Sequence, residues 1–258
     1  MIVLALLLCT AGLAEVSPRI MTHDAFETDG EMHAFALEKG TYDYFPFTLS
    51  ANCRLKLVVQ CALEGNDVYI VHLNDRNMDS VDHVESHAGI IANPKVFNFV
   101  YDLAAGDYAV AVVPEGPNGK ADYEGNVSIR GTFTPSAADD ARQDDTFAVA
   151  TEYDGTPTMG FLSSSWIAST RGFSLPADPQ DLRDYYCLRS DGGNYTFNLT
   201  PVSPESEFRC TVYDEYYNAL ANKDDNLFTL ELPAGNIYVM VEGDYYLAGD
   251  YLLRIQPE

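Results

Sequence analysis

LPAGNIYVMVEGDYYLAGDYLLRI, residues 232–255, is the stretch that decides the fold. Ile237, Val239 and Val241 alternate with Tyr238, Met240 and Glu242, and Tyr251, Leu253 and Ile255 alternate with Leu252 and Arg254. A period of two belongs to a strand with one buried face, because successive side chains of an extended backbone point to opposite sides. Gly235 and the Gly249-Asp250 pair punctuate the two runs, glycine accepting the backbone angles of a tight turn. The stretch reads as a β-hairpin that closes a domain.

A fainter copy occupies 103–130. Leu103 stands for Leu232 and Gly106 for Gly235; Tyr108, Val110 and Val112 stand for Ile237, Val239 and Val241. The run from Gly125 to Arg130 matches that from Gly249 to Arg254, and upstream Asp43-Tyr44-Phe45 echoes Asp184-Tyr185-Tyr186. Two copies of one module in tandem explain these matches. Other strand-like runs fill both halves: HAFAL, YDYFPF, CRLKLVVQ, VYIVHL and VFNFVYDL in the first, and RDYYCLRS, NYTFNLT, EFRCTVYD and NLFTLEL in the second. Gly, Pro, Asn and Asp separate them, which predicts antiparallel β-sandwiches. Residues 74–95 read as a long polar connection. TPSAADDARQ, residues 134–143, reads as a linker between modules at 15–133 and 144–258.

The 258 residues give each half enough chain for a core of its own. A net charge of −24, from 39 acidic and 15 basic residues, argues against nucleic acid and against anionic membrane surfaces as partners. It suits solubility, or the binding of a hard cation such as calcium through carboxylate oxygens. MIVLALLLCTAGLA, residues 1–14, looks like a secretory signal peptide, with Gly12 and Ala14 suited to cleavage before Glu15. The mature protein is therefore expected to be soluble and exported.

Beyond that leader stand Cys53, Cys61, Cys187 and Cys210. Cys53 and Cys61 flank one strand-like run and lie too far apart to bond if it is extended. Cys187 and Cys210 fall on two strands of one module and are the candidate disulfide; buried free thiols are the alternative for all four. Three sequons begin at Asn126, Asn194 and Asn198. In NYTFNL the alternation turns Tyr195, Phe197 and Leu199 inward and leaves the asparagines facing solvent, open to glycosylation in a eukaryotic secretory pathway.

The second module resembles the bacterial pre-peptidase C-terminal (PPC) domain family. The resemblance rests on the acidic opening DDARQDDTFAVAT (139–151), on RDYYCL (183–188), on GNYTFNL (193–199), and on the closing LPAGNIYVMV and GDYLLRI. It covers about 120 residues. The closing GDYLLRIQPE is also similar to the end of calpain domain III, a β-sandwich of like architecture. PPC membership implies an eight-stranded jelly roll that accompanies secreted peptidases. The expected fold is thus all-β, with two tandem antiparallel jelly-roll-like β-sandwich domains. The family's calcium site, carried over by position, implies Asp140, Asp144, Asp145, Asp181 and Asp184 as ligands. Arg142 stands where some members have a glutamate, and the first module lacks the acidic opening. The opening has too few apolar residues to dock by itself, so it is expected to order with the cation.

Catalytic signatures are missing from the sequence: no G-x-S-x-G, H-E-x-x-H, P-loop or G-x-G-x-x-G. His83-x-x-x-His87 would offer two zinc ligands on a helix turn, but its polar surroundings read as loop. The tyrosine pairs Tyr216-Tyr217 and Tyr245-Tyr246 fall in loops, where exposed rings stack on sugars or grip a protein, or else fold over the edge of the core. The expected function is that of a secreted, non-catalytic accessory protein binding a peptidase, another protein or a glycan. The alternative is a hydrolase with an unfamiliar site or a peptidase-associated fragment.

Overall fold

The computed structural model describes residues 19–65, 68–75, 80–87, 94–114, 120–138, 146–163, 182–243 and 248–258. The first half contains β1 (Arg19–Thr22), β2 (His33–Leu37), β3 (Thr41–Leu49), β4 (Cys53–Gly65), β5 (Val68–Asp75), β6 (Ser80–His87), β7 (Lys95–Leu103), β8 (Gly106–Pro114) and β9 (Tyr123–Pro135). The second contains a short 3-10 turn (Phe147–Val149), β10 (Thr151–Glu152), β11 (Thr158–Leu162), β12 (Arg183–Pro201), β13 (Phe208–Tyr213), β14 (Ala219–Lys223), β15 (Leu227–Gly243) and β16 (Gly249–Pro257). The fold is all-β, as the alternation predicts. No helix among the described residues is long and apolar enough to cross a membrane.

The first half stacks a five-stranded sheet, β1-β3-β8-β5-β6, on a four-stranded one, β2-β9-β4-β7. Odd-numbered residues of β4, from Cys53 to Leu63, meet Phe45, Phe47, Val71, Leu73, Val110 and Val112 in one core. The second half is a single sheet in the order β11-β16-β12-β15-β13-β14, with β10 also on β12. Its two long strands pair from Arg183↔Glu242 to Asn198↔Leu227. Where they pass from one layer to the other, Gly192, Gly193 and Gly235 adopt φ of +87°, +105° and +133°. Such angles cost glycine little and other residues much. Across this corner the inward positions shift by one residue: Tyr186 and Leu188 before it, Tyr195, Phe197 and Leu199 after it, all in one core.

Strand for strand, the halves share one pairing scheme. β10, β11, β13, β14 and β16 occupy the places of β1, β2, β5, β6 and β9; β12 does the work of β3 and β4 together, and β15 that of β7 and β8. The register agrees with the sequence repeat. Asp43, Phe45 and Phe47 oppose Val112, Val110 and Tyr108, and Asp184, Tyr186 and Leu188 oppose Val241, Val239 and Ile237.

Three sequence readings are corrected. The closing stretch is not a hairpin. β15 pairs with β12 and β13, while β16 pairs with β11 and β12. Val239 and Leu253 instead reach the same core from opposite layers. Two consecutive amphipathic strands can bury their apolar rows side by side or face to face, and alternation does not distinguish these. Second, each half adds a parallel pair to its antiparallel ladders, β1 on β3 and β10 on β12. Third, the polar connection at 74–95 contains β6, paired with β5 through Val71↔Val84 and His72↔His83. β6 is an edge strand, held by backbone hydrogen bonds that leave no mark in hydrophobic pattern. His83 and His87 therefore lie about 13 Å apart along a strand rather than on a helix turn.

A polar joint links the halves. Arg54 and Asp102 face each other across β4 and β7, with Nε to Oδ1 and Nη2 to Oδ2 both at 2.9 Å. Arg54 also donates to the hydroxyls of Ser203 (2.7 Å) and Ser206 (3.1 Å) from the second half. Burial pushes the Asp102 carboxyl above its ordinary range, against the pull of Arg54. Gly249 sits so close that an added Cβ would lie 2.9 Å from Asp102 Oδ1. Beside it Asp250 accepts from the Ser136 hydroxyl and the Ala137 amide.

Candidate functional site

Of the five carboxylates implied as calcium ligands, Asp184 lies among the described residues; Asp140, Asp144, Asp145 and Asp181 lie outside them. Asp184 is fully buried on the inner face of β12 and accepts a hydrogen bond from the Tyr251 hydroxyl. That hydroxyl also meets the Tyr186 hydroxyl at 2.7 Å. Burial, and then the Asp184 charge, push the Tyr251 phenol well above its ordinary pKa. Gly160 makes room for the group, since a Cβ there would run into the Tyr251 ring and the Asp184 carboxylate.

The first half buries Asp43 at the equivalent register. Thr41 Oγ1 donates to its Oδ2 at 2.7 Å, and His23 Nε2 lies 2.8 Å from its Oδ1. His23 stacks on Phe45, with ring centroids 4.4 Å apart, and Phe35 stands edge-on to it at 5.5 Å. Across β2 and β9 Phe35 opposes Val127, and across β11 and β16 Gly160 opposes Tyr251. The large and small partners have changed strands. In one half an imidazole packed by Phe35 and Phe45 reaches the aspartate, and in the other a tyrosine does. Each buried carboxylate takes a hydroxyl donor from its own half, Thr41 at Asp43 Oδ2 and Tyr251 at Asp184 Oδ2. Among the described residues, no group of three or more His, Cys, Asp or Glu side chains is placed to hold a metal ion.

A second group of side chains lies on the other face of the same layer, with Tyr185, Met240 and Thr211 buried there and Cys187, Tyr213 and Tyr238 half-buried. Tyr185 and Cys187 of β12, Tyr238 and Met240 of β15, and Thr211 and Tyr213 of β13 point away from the core of the second half. Phe147, from the 3-10 turn, rests among these tyrosines. Its ring centroid is 4.7 Å from Tyr185, 5.0 Å from Tyr213, 4.5 Å from Tyr217 and 5.5 Å from Tyr238. Phe147, near the end of the acidic opening, thus meets four aromatic rings, while residues 139–145 lie outside the described residues.

Tyr217 comes from the turn between β13 and β14, with φ of +62°. Asp214 organises that turn, accepting from the Tyr216 amide (2.9 Å), the Asn218 amide (2.8 Å) and Asn218 Nδ2 (2.9 Å). These bonds hold its carboxyl below the ordinary range. Tyr216 points outward at 74% exposure, while Tyr217, at 51%, leans on Phe147 and Tyr238. Tyr245 and Tyr246 lie outside the described residues. Sequence reasoning found the loop tyrosines and missed Phe147, Tyr185, Tyr213 and Tyr238. The available signal was aromatic residues at the outward positions of strands whose inward positions were already apolar.

The cysteines among the described residues, Cys53, Cys61, Cys187 and Cys210, are free, which corrects the expected Cys187–Cys210 disulfide. Both residues flank β15, where Cys187 opposes Tyr238 and Cys210 opposes Val241. Strands on either side of a third are about 9.6 Å apart, beyond disulfide reach. The odd offset between Tyr238 and Val241 also puts the two thiols on opposite faces of the sheet. Burial pushes the thiols of Cys53, Cys61 and Cys210 up to about 12. Cys187 borders an open groove of about 590 Å³ beside β10, together with Glu152, Asp154, Arg189 and Asn236. Tyr195, Phe197 and Leu199 point inward as read, with Asn126 and Asn194 exposed and Asn198 half-buried. Thr200 Oγ1 donates to Asn198 Oδ1 at 2.8 Å.

No protein-family model and no curated protein matches the chain. Among solved structures, it is similar to tripeptidyl peptidase 2 at 9% identity and a TM-score of 0.31, over 90% of this chain and 24% of that one. It thus spans about a quarter of that peptidase's length. Tandem CBM51 modules of a family 98 glycoside hydrolase from Streptococcus pneumoniae align at 7% identity and a TM-score of 0.23, over 83% of this chain and 81% of theirs. A turret protein of Sulfolobus turreted icosahedral virus aligns at 14% identity and a TM-score of 0.24, over 88% and 97%. Superpositions this loose carry no argument about function.

Proposed function

We propose that this protein is an exported, non-catalytic binding protein whose second half presents a tyrosine surface to a protein or glycan partner. The observation that supports the reading is the Asp214-braced turn carrying Tyr216 outward and Tyr217 alongside it. Rings on a preorganised turn offer large contact area with little further loss of conformational freedom on binding. A peptidase is one candidate partner, as the PPC resemblance suggests. Calcium held by the acidic opening belongs to the same proposal as a stabiliser. Asp184 could join such a site only by sharing its carboxylate with Tyr251.

The test is capture of partners from culture medium by the mature protein and by its Tyr216→Ala variant, each in calcium and in chelator. Recovery of a specific protein or glycan by the wild type, and its loss in the variant, is the expected result. Equal recovery by both proteins removes Tyr216 from the site and the reading with it. A melting temperature identical in calcium and in chelator removes the cation.

A further inference from the structure

We propose that the tyrosine cradle filled by Phe147 is a binding site for a cationic head group, that of an arginine, lysine or methylated ammonium of a partner, with Phe147 as its resident plug. The inference rests on reading this face as the binding surface. Tyr185, Tyr213, Tyr217 and Tyr238 all lie between 4.5 and 5.5 Å from the Phe147 ring centre. A group occupying that position has four aromatic ring centres inside the roughly 6 Å over which a ring face attracts a cation, the planes of Tyr185, Tyr213 and Tyr238 standing at 63°, 89° and 87° to that of Phe147. Three of the four tyrosines stand on paired strands, so the cradle persists whether or not the plug is in it.

The backbone that carries the plug is lightly held. It sits on a three-residue turn without a side-chain cap or a buried residue, closed by the Val149 amide on the Thr146 carbonyl. The next element, β10, is two residues long. Charge favours a cation over a neutral ring as the exchanging guest. The chain carries a net −24, and the turn that bears Tyr217 also carries Asp214 and Glu215. Of the arginines on this face, Arg183 is engaged by Glu242 at 2.7 Å and Arg209 by Asp224 at 2.6 Å, while Arg189 lies past Cys187 at the groove beside β10. On the same face the Thr211 hydroxyl is buried without a hydrogen-bond partner among the described residues, leaving an acceptor for a guest N–H.

Tetramethylammonium chloride titrated into the full chain at matched ionic strength, followed by NMR of the aromatic ring protons, tests the site. The neutral isostere tert-butanol is the control. In the wild type the cation should shift the cradle tyrosines and displace the Phe147 ring. Phe147→Ala should bind it about tenfold more tightly, as expected if the plug occupies the cradle nine-tenths of the time. Adding Tyr238→Ala should abolish the gain. A saturated wild-type titration that leaves the Phe147 resonances in place overturns the proposal, and so does an equal response to tert-butanol. Tyr216 lies outside the cradle, so loss of partner capture in Tyr216→Ala with tetramethylammonium binding intact supports the cradle independently. Capture that survives while the cation is ignored removes the cradle alone.

Discussion

The first half builds from four strands what the second builds from two. β3 and β4, and likewise β7 and β8, are separate strands that end at the corner of the sandwich, whereas β12 and β15 run through it. The pairing order survives the difference. What both halves keep is the inward row of apolar residues with an aspartate at its start, Asp43 or Asp184. What differs is the side chain that reaches that aspartate: His23, packed by Phe35, in one, and Tyr251, beside Gly160, in the other. Backbone continuity at the corner is thus negotiable, and a buried carboxylate without donors is not.

The comparison breaks most severely at the joint between the halves. Arg54→Met leaves Asp102 buried without its cation, and should cost about 3–5 kcal/mol in denaturant unfolding. An unmoved midpoint would show that the joint is not closed in solution. The deficit should depend on pH. Burial holds the folded Asp102 carboxyl above its unfolded value, so its ionisation destabilises the fold as pH rises through that window. Losing Arg54 raises the carboxyl further, and acidification through the window should therefore shrink the deficit. A deficit constant from pH 3 to 7 would assign the loss to packing alone.

Within the second half, Gly160→Ala forces a Cβ into the Tyr251 ring and should cost about 1–3 kcal/mol. The same exchange tests the swapped large and small partners: combined with Tyr251→Val, which opens the space, the alanine should be tolerated better than alone. Additive losses would mean that the two positions do not compete for one volume. Tyr251→Phe keeps the ring and removes the donor to Asp184, for about 1–3 kcal/mol. Thr41→Val in the first half should cost less, because His23 still serves Asp43. Reversal of that ranking would undo the parallel drawn between the two aspartates.

The smallest effect concerns the thiols. In the folded protein Cys187 should alkylate first, while Cys53, Cys61 and Cys210 stay protected by burial. Denatured without reductant, all four should label. Protection of Cys187 and Cys210 under those conditions would restore the disulfide.

Which side of each strand faces the core was legible from residue order alone. Ile237, Val239 and Val241, like Tyr195, Phe197 and Leu199, are buried as the alternation reads, and the repeat places Asp43 and Asp184 at one register. Facing is a local property, written in a period of two. Which strands exchange hydrogen bonds was settled by the folded arrangement. It set β15 and β16 in different layers, made an edge strand of polar residues 80–87, put Cys187 and Cys210 on opposite faces and seated Phe147 among four tyrosines. Backbone donors and acceptors are the same at every residue, so partner choice emerges from closing the core over long chain separations, and no local pattern records it.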